Sequence, residues 1–151
     1  MSALRFLPPP IWAILLLTSL YYLSEAPALQ ALPDWRHKPA GMILIVLGLI
    51  PPMISIGQFF LAGTQVHPTS KANNKLVTTG FFAFTRNPMY LGLVVASIGF
   101  ALWFGRPLMF LAPILIFAIE NWVFIPFEEA KMRRQFPEAF DAYCKRVRRW
   151  L

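Results

Sequence analysis

Charged residues, cysteine and histidine are all scarce in this chain of 151 residues. Only 14% of the residues are charged, against 57% that are hydrophobic, and the mean hydropathy is +0.54. A soluble domain of this size needs a polar surface over a small core, so this composition favours an integral membrane protein. The single cysteine, Cys144, excludes an internal disulfide and a cysteine-based metal cluster. The composition therefore predicts a membrane protein and gives no indication of a metal site.

Long apolar runs fill much of the sequence and predict an all-α membrane protein with a single domain, residues 1–151. The four expected spans cover residues 11–32, 40–62, 88–105 and 107–127. Glu25 and Pro27 interrupt the first span, which is expected to tilt or to end early. Pro51 and Pro52 lie inside the second span and predict a kink. Only residues 105–107 join the last two spans, which therefore form a tight antiparallel hairpin.

The distribution of basic residues predicts the orientation in the membrane. With four alternating spans, the amino terminus, the loop at residues 63–87 and the tail after residue 127 share one side. Of the 14 lysines and arginines, 11 lie on that side and three on the other. Basic residues are enriched in cytoplasmic loops, so the loop and tail are expected to face the cytoplasm, at a bacterial inner membrane.

The tail carries a pattern of aromatic and apolar residues at helical spacing. The residues that share this face are Phe136, Phe140, Tyr143, Val147 and Trp150. Together with the surrounding basic residues, they predict an amphipathic helix at about residues 129–149, lying on the anionic membrane surface. If the basic tail served only to set topology, the charges would be explained but not the aromatic face.

The stretch "VTTGFFAFTRNPMYLG", residues 77–92, predicts a helix start and an anion-receiving corner. Pro88 suits the first helical position, and Asn87 is expected to cap the free N–H groups there. Arg86 adds a positive charge beside the positive end of the helix dipole. Phe82 and Tyr90 are among the aromatic residues that supply flat walls.

Two acidic residues are expected to face this corner. Glu128 and Glu129 follow the fourth span, which the short hairpin returns to the same side of the membrane. A cationic corner, an anionic corner and aromatic walls would suit a zwitterionic amino acid that bears a purine. The alternative is that Arg86 is an ordinary membrane anchor and that the two acids pair with nearby basic residues such as Lys131 and Arg133.

These two blocks together resemble one family of enzymes. "LVTTGFFAFTRNPMYLG", followed by "FEEAKMRRQFPEAFDAYCKRVRRWL", is similar to the isoprenylcysteine carboxyl methyltransferase and phospholipid methyltransferase family. Its members are small integral membrane enzymes that use S-adenosylmethionine and release S-adenosylhomocysteine. The resemblance covers about residues 63–151 and implies methyl transfer to a lipophilic acceptor, either an isoprenylcysteine-like carboxylate or a lipid head group.

The resemblance also implies the residues of the cofactor site. The residues implied to bind the cofactor are Leu76, Val77, Gly80, Phe82, Arg86, Asn87, Pro88, Tyr90, Glu128 and Glu129. Among them, Arg86 and Glu129 are expected to be catalytic. The sequence departs from the family pattern at Phe82, where tyrosine is frequent, and at Pro137, which replaces the usual glycine.

Methyl transfer from a sulfonium needs alignment and exclusion of water, but no protein nucleophile. A carboxylate acceptor is already ionised, whereas an amine acceptor would benefit from a base. His67 is the histidine expected on the same side as the motif, although a surface role in its loop is the alternative. Glu120 lies inside the fourth span, where an acidic residue is a functional candidate that could contact the acceptor. Pairing of Glu120 with a neighbouring side chain is the other interpretation.

Two rival functions stay open at this stage. Membrane sterol reductases share a related carboxyl-terminal half but bind NADPH, whose additional phosphate requires more basic residues. A non-catalytic lipid-binding protein with the same fold is the second rival. In every case the expected partners are the bilayer and a small lipophilic molecule, with no nucleic acid.

Overall fold

The computed structural model describes residues 7–63 and 75–151, and the predicted all-α class is confirmed for them. No strand occurs in these two ranges. The helices are α1 (Pro9–Ser24), α2 (Lys38–Leu61), α3 (Pro88–Phe104), α4 (Leu111–Ile119), α5 (Ile125–Gln135) and α6 (Pro137–Arg146). His67, a candidate from the sequence, lies outside the described residues.

Two stretches of helix are long and apolar enough to cross a membrane, Lys38–Leu61 and Pro107–Gln135. The other two candidates, α1 and α3, are apolar but have only 16 and 17 residues. At about 1.5 Å per residue, each is about 25 Å long, which is less than the roughly 30 Å of bilayer hydrocarbon. Helix α1 ends at Ser24, so the first predicted span does end early. The membrane character is therefore supported, while four full spans remain a prediction.

The last long helix runs past its predicted end at residue 127. It begins with a 3-10 turn, continues through α4 and the π-helical turn Glu120–Phe124, and ends with α5 at Gln135. In the π-helical turn, the N–H of Ile125 bonds to the carbonyl of Glu120, five residues earlier. Proline normally clashes with the carbonyl four residues before it. A wider turn directly before Pro126 relieves this clash, so the helix continues and carries Glu128 and Glu129.

Helices α2 and α3 pack together along a line of glycines, and α3 also contacts α4 and α1. A Cβ added to Gly48 would lie 2.6 Å from the carbonyl oxygen of Gly92, and one added to Gly41 would lie 2.8 Å from that of Gly99. Real Cβ atoms do not approach other atoms this closely, so only glycine allows the two backbones to meet. We call these four residues the glycine seam.

The hairpin between α3 and the following helix is as tight as the sequence predicts. Gly105 ends α3 in the left-handed conformation, with φ of 73°. Arg106 then pairs with Glu25 at 2.8 Å, and Arg36 donates to the carbonyl oxygen of Phe104. We call this part of the molecule the hairpin end.

The tail differs from the single interfacial helix predicted at residues 129–149. Helix α5 ends at Gln135, because Phe136 precedes proline and adopts φ of −137° and ψ of 60°. Helix α6 then begins at Pro137. Its residues Phe140 and Tyr143 are 3% and 2% exposed and pack against Phe82. The prediction of one continuous helix at residues 129–149 is therefore wrong, and the apolar face of α6 contacts protein. The location of this helix at the membrane surface stays a prediction.

Candidate active site

A cavity of about 370 Å³ lies at the opposite end of the bundle from the hairpin end, where α3 begins. Its polar wall consists of Lys75, Arg86, Asn87, Tyr90, Glu128, Glu129 and Lys131. Its apolar wall includes Pro8, Pro9, Pro10, Pro52, Ile56, Phe59, Leu76, Val77, Phe82, Met89, Leu93 and Met132. Such a volume falls within the range of small-molecule sites, about 300–1,000 Å³. One cavity thus combines charged groups with a largely apolar surface.

Arg86 and Glu129 form the centre of the polar wall. Arg86 Nη2 donates to Glu129 Oε1 at 2.8 Å, and both side chains are 13% exposed. The other terminal nitrogen of Arg86 donates to the carbonyl oxygen of Val147 at 2.7 Å. The two corners expected from the sequence therefore do converge, but they bond directly to each other, with no gap between them.

Arg149 completes this ion-pair network from outside the cavity lining. Its Nη2 lies 2.6 Å from Glu129 Oε2, and its Nε lies 3.1 Å from Oε1. The bond to Glu129 raises the pKa of Arg149 above its ordinary value. Two arginines share one carboxylate, so the formal charge of the Arg86, Glu129 and Arg149 network is +1. The network therefore favours an anion.

Asn87 occupies the expected position at the start of α3 but does not cap the helix with its side chain. Its side-chain amide donates instead to the carbonyl oxygen of Arg149 at 2.9 Å. Thr85 Oγ1 donates to the same oxygen at 3.1 Å. The expected capping bond is therefore absent, because the amide is used in a tertiary contact. The predicted start of α3 at Pro88 is confirmed.

Glu128 has a different environment from its neighbour Glu129. Its Oε1 accepts a hydrogen bond from the hydroxyl of Tyr90 at 2.6 Å. Both residues line the cavity, and Tyr90 is only 6% exposed. The sequence could not distinguish the roles of the two adjacent acids. In the structure, Glu129 is bound by arginines, whereas Glu128 is held by a neutral hydroxyl.

The aromatic side of the cavity is fixed by α6. The hydroxyl of Tyr143 donates to the carbonyl oxygen of Phe82 at 2.6 Å, and burial raises the pKa of Tyr143. The rings of Phe82 and Phe59 lie 5.2 Å apart between centroids. The turn that carries Phe82 is thereby held between α2 and α6, and its ring forms a stable part of the wall.

The cavity brings together most of the residues that the sequence implied for the site. Those that line it are Leu76, Val77, Phe82, Arg86, Asn87, Pro88, Tyr90, Glu128 and Glu129. Gly80 begins the 3-10 turn nearby but does not line the cavity. Glu120 does not line it either, and is 2% exposed beside Trp12 and Phe124 in a much smaller void.

Pairing of Glu120 with a neighbouring side chain, the alternative interpretation, is not observed among the described residues. Neither of its carboxylate oxygens has a hydrogen-bond partner in the described part of the chain. Asn121 accepts instead from the indole N–H of Trp150 at 3.0 Å. A place in the wall of the main cavity is thus excluded for Glu120, and its role in acceptor binding stays a prediction.

The sequence missed the contribution of Arg149 and of the apolar side chains from α2. Arg149 had been counted only among the basic residues that set topology, and nothing in its spacing separates it from Arg148. Within the described ranges, no group of three or more histidine, cysteine or acidic residues could hold a metal ion. The described residues of the cavity supply charged groups and a shaped apolar surface.

Comparison with known proteins identifies the family. A family model described as phospholipid methyltransferase matches residues 37–139, more than half of the chain. No solved structure matches the chain.

Among curated proteins, the chain is 28% identical over 141 residues to protein-S-isoprenylcysteine O-methyltransferase B of Arabidopsis thaliana, covering 88% of this chain and 68% of the relative. It is 25% identical over 136 residues to a probable protein-S-isoprenylcysteine O-methyltransferase of Oryza sativa subsp. indica, covering 85% and 68%. It is 29% identical over 102 residues to the protein-S-isoprenylcysteine O-methyltransferase of Schizosaccharomyces pombe, covering 63% and 39%. These relatives and the family model indicate a membrane methyltransferase. The chain therefore belongs to the phospholipid methyltransferase family, as the paired motifs predict.

Proposed function

We propose that the protein transfers a methyl group from S-adenosylmethionine to a lipophilic acceptor at the cytoplasmic face of the membrane, the inner membrane of a bacterium. The observation that carries this proposal is that an ion-paired polar wall and an apolar wall line the same cavity. The family and the named relatives supply the class of reaction. The cavity supplies a place where a charged donor and an apolar acceptor can meet.

The residues present fit such a donor. The +1 charge of the network formed by Arg86, Glu129 and Arg149 suits the donor's carboxylate. Arg86 Nε is buried and has no hydrogen-bond partner among the described residues, so one donor group of this side chain is unused. Glu128 offers a carboxylate for the ammonium or the ribose hydroxyls. The apolar surface of Phe82 suits the purine.

When bound, S-adenosylmethionine supplies an electrophilic methyl group on a sulfonium. The protein's own residues align the reactants and keep water out. Arg86 is well suited to this task, because its bonds to Glu129 and to the carbonyl oxygen of Val147 fix its orientation before any ligand binds. Such preorganisation lowers the cost of ordering the site.

The acceptor is proposed to lie along the apolar wall. Ile56 and Phe59 come from α2, Met89 and Leu93 from α3, and together they form a surface for a lipid chain. The Arabidopsis relative is named for an isoprenylcysteine acceptor. An ionised carboxylate acceptor needs no base. No histidine is among the described residues that line the cavity. A prenylated-cysteine carboxylate is therefore the favoured acceptor, and a lipid head group is the second candidate.

Binding measurements with purified protein test the donor. Titration calorimetry in nanodiscs should detect binding of S-adenosylhomocysteine and none of NADPH. Binding of NADPH alone would instead support a reductase, and binding of neither would support a non-catalytic lipid-binding protein. Incubation with a radiolabelled methyl donor and membrane extracts would then show whether label enters a prenylated peptide or a lipid.

The variant Arg86→Ala should weaken binding of S-adenosylhomocysteine by at least about tenfold, equivalent to about 1.4 kcal/mol. Arg106→Ala is the matched control, because Arg106 also pairs with a glutamate at 2.8 Å but lies at the hairpin end. The melting temperature of each variant identifies loss of fold. Equal affinity in folded Arg86→Ala and in the parent protein would contradict the assigned site.

A further inference from the structure

The four residues after α6 run back across the start of α3 in a non-helical conformation. Helix α6 ends at Arg146, and Val147 adopts φ of −124° and ψ of 131°. We call residues 147–150 the strap. The strap lies outside the residues 37–139 that match the family model.

The backbone of the strap bonds to the loop that carries Arg86. The N–H of Arg86 donates to the carbonyl oxygen of Arg148 at 3.0 Å. Thr85 and Asn87, on either side, both donate to the carbonyl oxygen of Arg149. Three consecutive residues are thus held by two adjacent carbonyl groups. These contacts join residues about 60 positions apart, so they fix the loop only when the strap is in place.

The side chain of Arg149 adds a second connection. Its two bonds to Glu129 use both carboxylate oxygens, and this bidentate geometry fixes the orientation of the carboxylate. Glu129 in turn accepts from Arg86. The side chain of Arg149 does not line the cavity, so it acts on a ligand there through Glu129 and Arg86.

Trp150 anchors the strap on the long helix. Its indole N–H donates to Asn121 Oδ1 at 3.0 Å, and its ring lies 4.8 Å from the ring of Phe117. Asn121 belongs to the π-helical turn Glu120–Phe124. The strap is therefore attached at one end to the long helix and along its length to the loop before α3.

We propose that the strap positions the donor-binding residues, and that Arg149 is a positioning residue that orients Glu129 and, through it, Arg86. This inference rests on the proposed function, because it assigns the oriented groups to the methyl donor. It adds a requirement that lies outside the cavity and outside the matched family region. Loss of the strap should lower donor affinity even though every residue that lines the cavity is retained.

Two substitutions of Arg149 distinguish its effect on the orientation of Glu129 from the effect of its positive charge. Arg149→Lys keeps the positive charge but cannot form the bidentate bond, so it should weaken binding of S-adenosylhomocysteine about tenfold, and Arg149→Ala should weaken it more. Arg148→Ala is the matched control, since its side chain is exposed and lies on the same strap. It should change the affinity less than twofold.

Kinetic and exchange measurements distinguish positioning from a general loss of stability. In Arg149→Lys the KM for the donor should rise more than kcat falls, with a melting temperature close to that of the parent. Trp150→Phe, which retains the ring but loses the bond to Asn121, should accelerate amide hydrogen exchange at residues 84–87. Trp122→Phe is the control, because Trp122 is exposed.

The outcomes separate the two proposals. If the parent protein binds no S-adenosylhomocysteine, the proposed function fails and the donor-positioning role fails with it. If the parent binds and folded Arg149→Ala binds equally well, only the inference about the strap is overturned. Unchanged exchange at residues 84–87 in Trp150→Phe would also overturn the anchoring role.

Discussion

The two ends of the helix bundle each carry an arginine and a glutamate 2.8 Å apart, yet the pairs differ in burial and in neighbours. At the hairpin end, Arg106 and Glu25 are 27% and 39% exposed. At the cavity end, Arg86 and Glu129 are both 13% exposed. Exposed pairs contribute only about 0–1 kcal/mol, whereas burial of a pair carries a large desolvation cost. The two pairs therefore have the same length but are expected to differ in their contribution to stability.

The neighbours of each carboxylate explain how the buried pair is accommodated. Glu25 accepts from a single arginine through one oxygen. Glu129 accepts from Arg86 and Arg149 through both oxygens. The additional bonds offset the desolvation of the charges and hold them in one geometry. Such an arrangement is typical of a site that must meet a charged ligand in a defined orientation.

The two ends should differ most in stability and donor binding when the carboxylate of each ion pair is removed. Glu129→Ala leaves two arginines together without their counterion, which should destabilise the fold by about 3–5 kcal/mol and abolish donor binding. Glu25→Ala should cost about 1 kcal/mol or less and leave donor binding intact. Thermal unfolding in detergent and calorimetry measure both effects. Similar losses in the two variants would remove the distinction between the ends.

A smaller effect is expected at Tyr90, whose hydroxyl bonds to Glu128 at the cavity. Tyr90→Phe removes this bond, worth about 0.5–1.5 kcal/mol, and should raise the KM for the donor severalfold. Tyr22→Phe is the control, because Tyr22 is 71% exposed near the hairpin end. Steady-state kinetics provide the measurement. If both variants kept the parent's KM, Glu128 would not be held for the donor.

The smallest expected effect is that of salt on the melting temperatures of variants at the two ends. At about 1 M salt the screening length falls to about 3 Å, so the partly exposed pair of Arg106 and Glu25 should lose its contribution. The difference in melting temperature between the parent and Glu25→Gln should then vanish. The difference between the parent and Glu129→Gln should persist, because that pair is buried. Loss of both differences at high salt would mean that the cavity pair is accessible to ions.

Local stereochemistry accounts for what could be predicted from the sequence. Pro88 set the start of α3, and Gly105 with Pro107 set the hairpin, because these residues restrict their own backbone. The hairpin then placed Glu129 beside Arg86. The convergence of the two motifs therefore followed from chain connectivity and helix length.

Long-range contacts account for what the sequence missed. Asn87 satisfied every local rule for a helix cap, yet its amide bonds to Arg149, 62 positions away. The aromatic face of α6 had the spacing of an interfacial helix, but spacing does not reveal whether lipid or protein covers it. Nothing local distinguishes Arg149 from Arg148, and only the path of the strap gives the two side chains different roles.

The glycine seam has a consequence for how the cavity can enlarge. Because the backbones of α2 and α3 meet without room for a methyl group, any separation would forfeit their whole contact, and the two helices are expected to move as one rigid body. A bulky acceptor must then find its space elsewhere. Pro8, Pro9 and Pro10 at the start of α1 form a part of the cavity wall that does not belong to this rigid pair of helices.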